Sequence, residues 1–400
     1  MKRLIRKIIP NKFVNYGKHL PTAVLANVQH GFPSRNLKII GVTGTDGKTT
    51  TTNMIYQILK DAGKSVSMIS TINAFIGDKS YDTGFHVTSP NPQDIQRMIK
   101  QAREKGSEFM VLEVTSHGLD QFRFWGIKFY VGVITNITHE HLDYHKTFEN
   151  YLNTKARLIK NVRLAVLNKD DKNFKTLKKK TGGKVLSFGL GKDADFSPHN
   201  FSLKLKMPGQ YNMLNALAAS VAANYLGISK TDIQKSLSNF SSLPGRLQEV
   251  KNNKGIKIII DFAHTPNALE NALKTLKPLT SGKLISVFGC ASERDEGKRV
   301  PMGRISSQFA DITVLTDEDP RFENSLKIIN EIAEGGRNKY TEGKNLFKEP
   351  DRAKAIKLAI SLANKGDTVG IFGKGHEQSM NYRGKELPWS DKKAVLEALK

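Results

Sequence analysis

Residues 37–52 read LKIIGVTGTDGKTTTT. A strand-length apolar run from Leu37 to Val42 enters a loop containing Gly44 and Gly47, and a polar helical pattern follows from Thr49 to Ala62. The glycines let the backbone turn tightly and point successive N–H groups inward, and the positive end of the helix receives an anion. Across the loop Gly44, Thr45, Asp46, Gly47, Lys48, Thr49 and Thr50, the lysine can reach terminal phosphates and a threonine hydroxyl can bind Mg2+. The spacing is a short GxxGKT, with Val42 where the general phosphate-loop pattern has glycine. A glycine turn with an incidental lysine is the weaker reading, because strand, loop and helix all agree. The stretch predicts a nucleoside triphosphate site.

Outward from this loop, apolar runs alternate with helical stretches. SVSMIS, FMVLEV, YVGVITN, LAVLN and VLSFG are strands, Pro92 to Glu104 is a helix, and the alternation predicts a parallel sheet with helices on both faces. FSLKLKM (201–207) reads as an exposed antiparallel strand, followed by an Ala-rich helix from Asn212 to Tyr225. After LPGR (243–246) a second series begins: IKIIIDFA, KLISVFGC, ADITVLTD and DTVGIFGKG. The fold class is therefore α/β: a central P-loop ATPase-type, doubly wound parallel sheet over 37–243, then a Rossmann-like α/β domain over 244–400. Residues 1–36 are basic, contain Pro10, Pro21 and Pro33, and read as a short helical arm.

The 400 residues hold 62 Lys and Arg against 38 Asp and Glu, a net charge of +24 that favours polyanionic company. The excess is scattered and not interleaved with aromatic residues, so a solvated surface is preferred to a nucleic-acid footprint. A lone cysteine, Cys290, excludes an internal disulfide and a Cys-rich metal site and suits a reducing cytoplasm. The longest apolar runs fall far short of the roughly 20 residues a membrane helix needs.

FMVLEV ends in Glu113 and YVGVITN runs into NITHEHLDYH (136–145). In an open parallel sheet these carboxyl ends meet the crevice beside the phosphate loop, so Glu113 and His141 are candidate ligands for a divalent ion. His139, His141 and His145 could also suggest zinc, but a neighbouring phosphate loop calls for a hard ion such as Mg2+. Hydrogen-bonding or surface roles are preferred for His139 and His145.

GVTGTDGKTTT, EVTSHGLDQFR, TNITHEHLDYHKTFENYLNTKARL, YNMLNALAA, LPGRLQEV, DFAHTPNALE, FGCASERDEGKR, TDEDPR and GKGHEQ follow one another from Leu37 to about Gln378. In that order they resemble the Mur ligase family, and within it the branch that adds the third residue of the peptidoglycan stem peptide. The resemblance implies a cytoplasmic ATP-dependent amide ligase. ATP phosphorylates a carboxylate, an amine attacks the acyl phosphate, and the tetrahedral intermediate collapses to amide and phosphate. It further implies that residues 44–50 hold the ATP phosphates, with Lys48 catalytic, and that Thr49, Glu113 and His141 serve magnesium. Lys155 matches a lysine that the family carbamylates with CO2, which implies a catalytic, carboxylate-like ligand at the magnesium site, and Glu113 and His141 count with it as catalytic. Asn215, Arg246, Asp261 and His264 match ATP contacts. Thr88, Ser89, Thr115, Gln121 and Arg123 match positions holding a nucleotide-sugar peptide. Arg294, Glu318, Asp319, Pro320, Arg321, Gly373 and Glu377 match the pocket for the incoming amino acid.

The chain departs from that pattern in three places. Asp46 stands where the family has asparagine, Glu140 where it has Asp, and the 36 residues before Leu37 are too few for the UDP-binding domain usual in this group. Other readings are a related ligase on a different or lipid-linked peptide, with the basic arm near a membrane, and a P-loop ATPase switch. Arg321 with Arg294 favours meso-diaminopimelate as the added amino acid, whereas a carboxylate at Asp319 could favour lysine.

Overall fold

The structure, a computed structural model, describes residues 11–77, 79–82, 89–293 and 295–400. The chain divides into two compact units, one holding residues 1–139, 145–206 and 211–240, the other 140–144, 207–210 and 241–400. Thr88, Arg294 and the first ten residues of the basic arm lie outside the described residues.

The first unit is built on an eight-stranded sheet in the order β4-β3-β2-β5-β1-β6-β7-β8. The strands are β1 (Lys38–Thr43), β2 (Val66–Ile69), β3 (Asn73–Ile76), β4 (Lys79–Asp82), β5 (Phe109–Glu113), β6 (Phe129–Ile134), β7 (Leu164–Asn168) and β8 (Lys184–Phe188). All pair in parallel except the β2–β3 and β3–β4 neighbours. Side chains alternate across the sheet. Met110 and Leu112 of β5 join Ile39, Ile95, Ile99 and Ala102 in a core beneath the helix Pro92–Glu104. Glu113 has the opposite parity and reaches Thr49 at the start of the helix Lys48–Asp61. Helices therefore cover both faces, and β1, buried on both sides, ends at the phosphate loop.

The predicted strand at 201–207 does not form. Burial alternates there, with Phe201 and Met207 buried and Ser202, Lys204 and Lys206 exposed, but no neighbouring strand pairs with the segment. A period of two orients side chains, whereas a strand also needs a backbone ladder.

The second unit carries a six-stranded sheet in the order β13-β12-β11-β14-β10-β9. Its strands are β9 (Gln248–Val250), β10 (Lys257–Asp261), β11 (Leu284–Phe288), β12 (Ile312–Leu315), β13 (Leu346–Lys348) and β14 (Thr368–Phe372), parallel but for β9. Ile258, Ile260, Val287, Val314 and Ile371 bury one face against Ala355, Ile356 and Ala359 of the helix Arg352–Leu362. A hairpin, β15 (Ser379–Tyr382) and β16 (Lys385–Pro388), follows β14. The chain order places β14 between β10 and β11, which collects the carboxyl ends of β10, β11, β12 and β14 at one edge.

Candidate active site

The loop after β1 is shaped by close approaches. Gly47 has φ +81°, and a Cβ on it would stand 2.2 Å from Asn215 Oδ1. A Cβ on Gly44 would stand 1.8 Å from Thr135 Oγ1. Only glycine fits either place. Asn215, on the helix Gln210–Tyr225, accepts a hydrogen bond from Thr51 Oγ1 at 3.3 Å, so it braces both the loop and the helix that follows. The end of β6 holds the other side. Thr45 N–H donates to the Asn136 carbonyl (2.8 Å) and Asp46 N–H to Asn136 Oδ1 (3.0 Å), while Thr135 Oγ1 donates to the Asp46 carbonyl (2.6 Å).

Two ammonium groups converge on this loop. Lys48 Nζ donates to the carbonyls of Thr45 (2.8 Å) and Gly44 (3.1 Å). Lys155 is 1% exposed on the helix Phe148–Ala156, donates to the same Gly44 carbonyl at 2.7 Å, and lies 4.7 Å from the centre of the Tyr151 ring. Lys48 and the N-terminus of the helix Lys48–Asp61 at this glycine turn make an anion site. Thr49 Oγ1 donates to Glu113 Oε1 at 3.0 Å, and the Thr71 N–H donates to Glu113 Oε2 at 2.9 Å. These buried oxygen donors at the mouth of the loop fit a hard cation such as Mg2+. His141, with φ +57° and Nδ1 3.8 Å from Glu140 Oε1, belongs to the segment 140–144 that clusters with the second unit. His145 is buried and shares a 3.0 Å hydrogen bond with Ser116 Oγ.

Ser89, Thr115, Gln121 and Arg123 form a second cluster of the first unit. The hydroxyls of Ser89 and Thr115 are 2.9 Å apart, and Thr115 Oγ1 caps the helix Ser116–Asp120 by accepting from Gly118 N–H. Arg123 donates to the Ser89 carbonyl and, through Nε and Nη2, to Gln121 Oε1 at 3.1 and 2.7 Å.

In the second unit Asp261, at the end of β10, is nearly buried and accepts backbone N–H bonds from Leu247 (2.7 Å) and Ala263 (2.8 Å). It thereby fixes the turn bearing Arg246, whose guanidinium lies 4.6 Å from the centre of the Phe262 ring. His264 and His376 both pack on Phe262. Burial, then the charges of Arg246 and Lys374, hold His376 neutral down to about 3.

Glu318 and Asp319 follow β12, and Gly373 to Glu377 follow β14. Glu318 is 7% exposed, and burial pushes its carboxyl up to about 7 despite Lys298, Lys374 and Arg352. Its Oε2 faces Gly373 and has no hydrogen-bond partner among the described residues. Lys374, 2% exposed, binds Asp319 Oδ1 at 3.0 Å and Glu377 Oε2 at 2.5 Å. Asp319 Oδ1 also accepts from Asn381 N–H at 2.9 Å. Arg321 is braced by the hairpin, donating its N–H to the Asn381 carbonyl and accepting from Arg383 N–H. Sequence reasoning passed over Lys374, inside the same GKGHEQ stretch, and Lys298, whose Nζ donates to the His264 carbonyl at 2.8 Å. The signal for Lys374 was a lysine between two glycines beyond a strand; nothing local marked Lys298. It also missed Arg352, which is buried in a pair with Asp391 at 2.7 Å and donates to the Asp317 and Phe372 carbonyls.

The first unit thus has the strand, glycine loop and helix of a P-loop nucleotide-binding protein, with Lys48 and a threonine–carboxylate pair at the loop. The Mur ligase middle domain matches residues 42–223, and the Mur ligase glutamate ligase domain matches residues 245–375. The chain belongs to the Mur ligase family, ATP-dependent enzymes that form amide bonds. It is similar to the UDP-N-acetylmuramoyl-L-alanyl-D-glutamate--2,6-diaminopimelate ligase of Clostridium botulinum, 36% identical over 94% of this chain and 81% of the relative. The enzyme of the same name from Aquifex aeolicus is 38% identical over 92% of this chain and 79% of its own. A solved structure of such a ligase, 29% identical, superposes with a TM-score of 0.61 over 92% of this chain and 79% of the other.

Proposed function

We propose that this chain joins meso-diaminopimelate to UDP-N-acetylmuramoyl-L-alanyl-D-glutamate at the expense of ATP, in peptidoglycan precursor synthesis. Residues 44–50 hold the ATP phosphates, and Arg246, Asp261 and His264, with Asn215, serve the rest of the nucleotide. The acceptor carboxylate attacks the γ-phosphorus, ADP leaves, and the acyl phosphate is then attacked by the amino group, releasing phosphate. Lys48 turns from the loop carbonyls to the phosphate oxygens. Thr49 and Glu113, together with His141, would hold Mg2+, which would supply charge neutralisation at the phosphates. Ser89, Thr115, Gln121 and Arg123, with Thr88, hold the acceptor.

Lys155 is read as a carbamate. Its neutral amine attacks CO2, one N–C bond forms as one C=O π bond opens onto oxygen, and one proton leaves the nitrogen to solvent. The product keeps an N–H for the Gly44 carbonyl at 2.7 Å and adds a carboxylate-like anion beyond it. What supports this reading is a lysine 1% exposed at the anion loop, too close to be surface filler. Lys155→Ala should abolish ligation, with partial rescue by acetate or formate; near-normal activity without them refutes the assignment.

Diaminopimelate is preferred to lysine on one observation. The Asp319 carboxylate is paired with Lys374 and tied to Asn381 N–H, which opposes its taking a side-chain ammonium, and Arg321 with Arg294 is the arginine pair assigned to the distal carboxylate. Phosphate release from ATP and Mg2+ is to be measured with the UDP-dipeptide and each amino acid. Release needing both acceptors, with diaminopimelate outcompeting lysine, supports the reading. Acceptor-independent release would instead mark an ATPase switch, and a lysine preference unchanged in Arg321→Ala would overturn the choice of diaminopimelate.

A further inference from the structure

The helical segments at Asn11–Val14, Asn15–His19 and Leu20–Gln29 have inverted amphipathicity. Their inward face is small or polar. Ala23 and Ala26 are fully buried, Asn15 Nδ2 donates to Asp120 Oδ2 at 2.7 Å, and Asn27 Nδ2 donates to the Trp125 carbonyl at 2.6 Å. The outward face carries the large apolar side chains: Phe13 is 71% exposed, Tyr16 56%, Leu25 54% and Val28 58%. Leu25 and Val28, three residues apart on Leu20–Gln29, form a short outward apolar stripe. A surface helix normally buries such a stripe and turns its polar residues out.

Charge is equally one-sided. Lys2, Arg3, Arg6, Lys7, Lys12 and Lys18 precede the first acidic residue of the chain, Asp46. An outward apolar stripe in an acid-free basic segment matches a surface offering hydrocarbon beneath fixed negative charge. A second copy of this chain would bring the same positive charge against itself, which disfavours self-association through this face.

We propose that residues 11–29 form a peripheral docking surface for an anionic phospholipid bilayer. Leu25, Val28 and Phe13 enter the headgroup boundary, and Lys12 and Lys18 lie against lipid phosphates. No helix of the described residues is long and apolar enough to span a membrane, so attachment is interfacial and reversible. This inference is independent of the ligase reading, since the stripe shares no residue with the phosphate loop or the amino-acid pocket.

The test is flotation of the full chain with vesicles of phosphatidylcholine alone or with phosphatidylglycerol added, at low and high salt. Binding to the anionic vesicles that salt weakens is expected, as is an approximately tenfold or greater loss in a Leu25→Ser, Val28→Ser double variant. Both sites are exposed, so the variant should keep its unfolding midpoint and its ATP-dependent activity. A second variant, Lys12→Glu with Lys18→Glu, should lose the preference for anionic over neutral lipid. Failure to float, binding unaffected by the serine variant, or tighter capture by single-stranded RNA than by anionic vesicles would each overturn the proposal.

Discussion

Replacing Glu318 by glutamine isolates the cost of burying one carboxylate. The group titrates near 7 in the folded protein against 4.5 for an ordinary glutamate, because burial outweighs the attraction of Lys298, Lys374 and Arg352, and Asp319 adds repulsion. Below pH 4.5 folded and unfolded chains both carry the neutral acid, and it costs nothing. As pH rises from 4.5 to 7 only the unfolded chain ionises, so stability falls; above 7 the penalty is complete at about 3 kcal/mol. Glu318→Gln keeps the shape and removes the charge. It should match the parent near pH 4 and be more stable by about 3 kcal/mol at pH 8. The two tryptophans fall in different units, Trp125 in the first and Trp389 in the second. Urea unfolding followed by fluorescence in a Trp125→Phe background therefore reports on the second unit. A stability difference independent of pH, or a glutamine variant less stable at pH 8, would refute the reasoning. An amino group bound beside Glu318 Oε2 lowers its pKa, so amino-acid binding should release protons between pH 5 and 7, readable by calorimetry in buffers of different ionisation heat.

The remaining expectations concern the backbone and a buried pair. Gly47→Ala places a methyl group 2.2 Å from Asn215 Oδ1 at φ +81°, and should cost at least about 1 kcal/mol of stability and most of the ATP affinity, measured by nucleotide titration. Unchanged affinity would show that the loop does not hold the phosphates. Arg352→Ala leaves Asp391 buried without its cation and should destabilise the second unit by about 3–5 kcal/mol, whereas Arg352→Met with Asp391→Leu should recover most of the loss in a urea titration. Because Arg352 also holds the Asp317 and Phe372 carbonyls, the double variant should still raise KM for the amino acid more than it lowers kcat.

What the sequence made legible was what local chemistry determines. LKIIGVTGTDGKTTTT specifies strand, turn and helix with residues that touch one another, and the parallel strands around it are near-continuous apolar runs because both their faces are covered. The hairpin β15–β16 was invisible for the converse reason. LysGluLeuPro at 385–388 is exposed throughout and carries no burial pattern, yet its partner strand supplies the Asn381 N–H that helps fix Asp319. FSLKLKM shows the opposite failure, a correct alternation of burial without a ladder to make it a strand. The change to Asp at 319 is the case where distance in sequence mattered most. Read locally it is an added negative charge in the stretch proposed to take the amino acid. Only the fold brings Lys374, from the end of β14, to within 3.0 Å of it and Glu377 onto the same ammonium. Burial at 2% exposure makes that lysine costly without its carboxylate partners, so the local charge is set by the group as a whole and not by position 319 alone. The charge at Asp319 is therefore read together with Lys374, 55 residues downstream, and with Glu377 on the same ammonium.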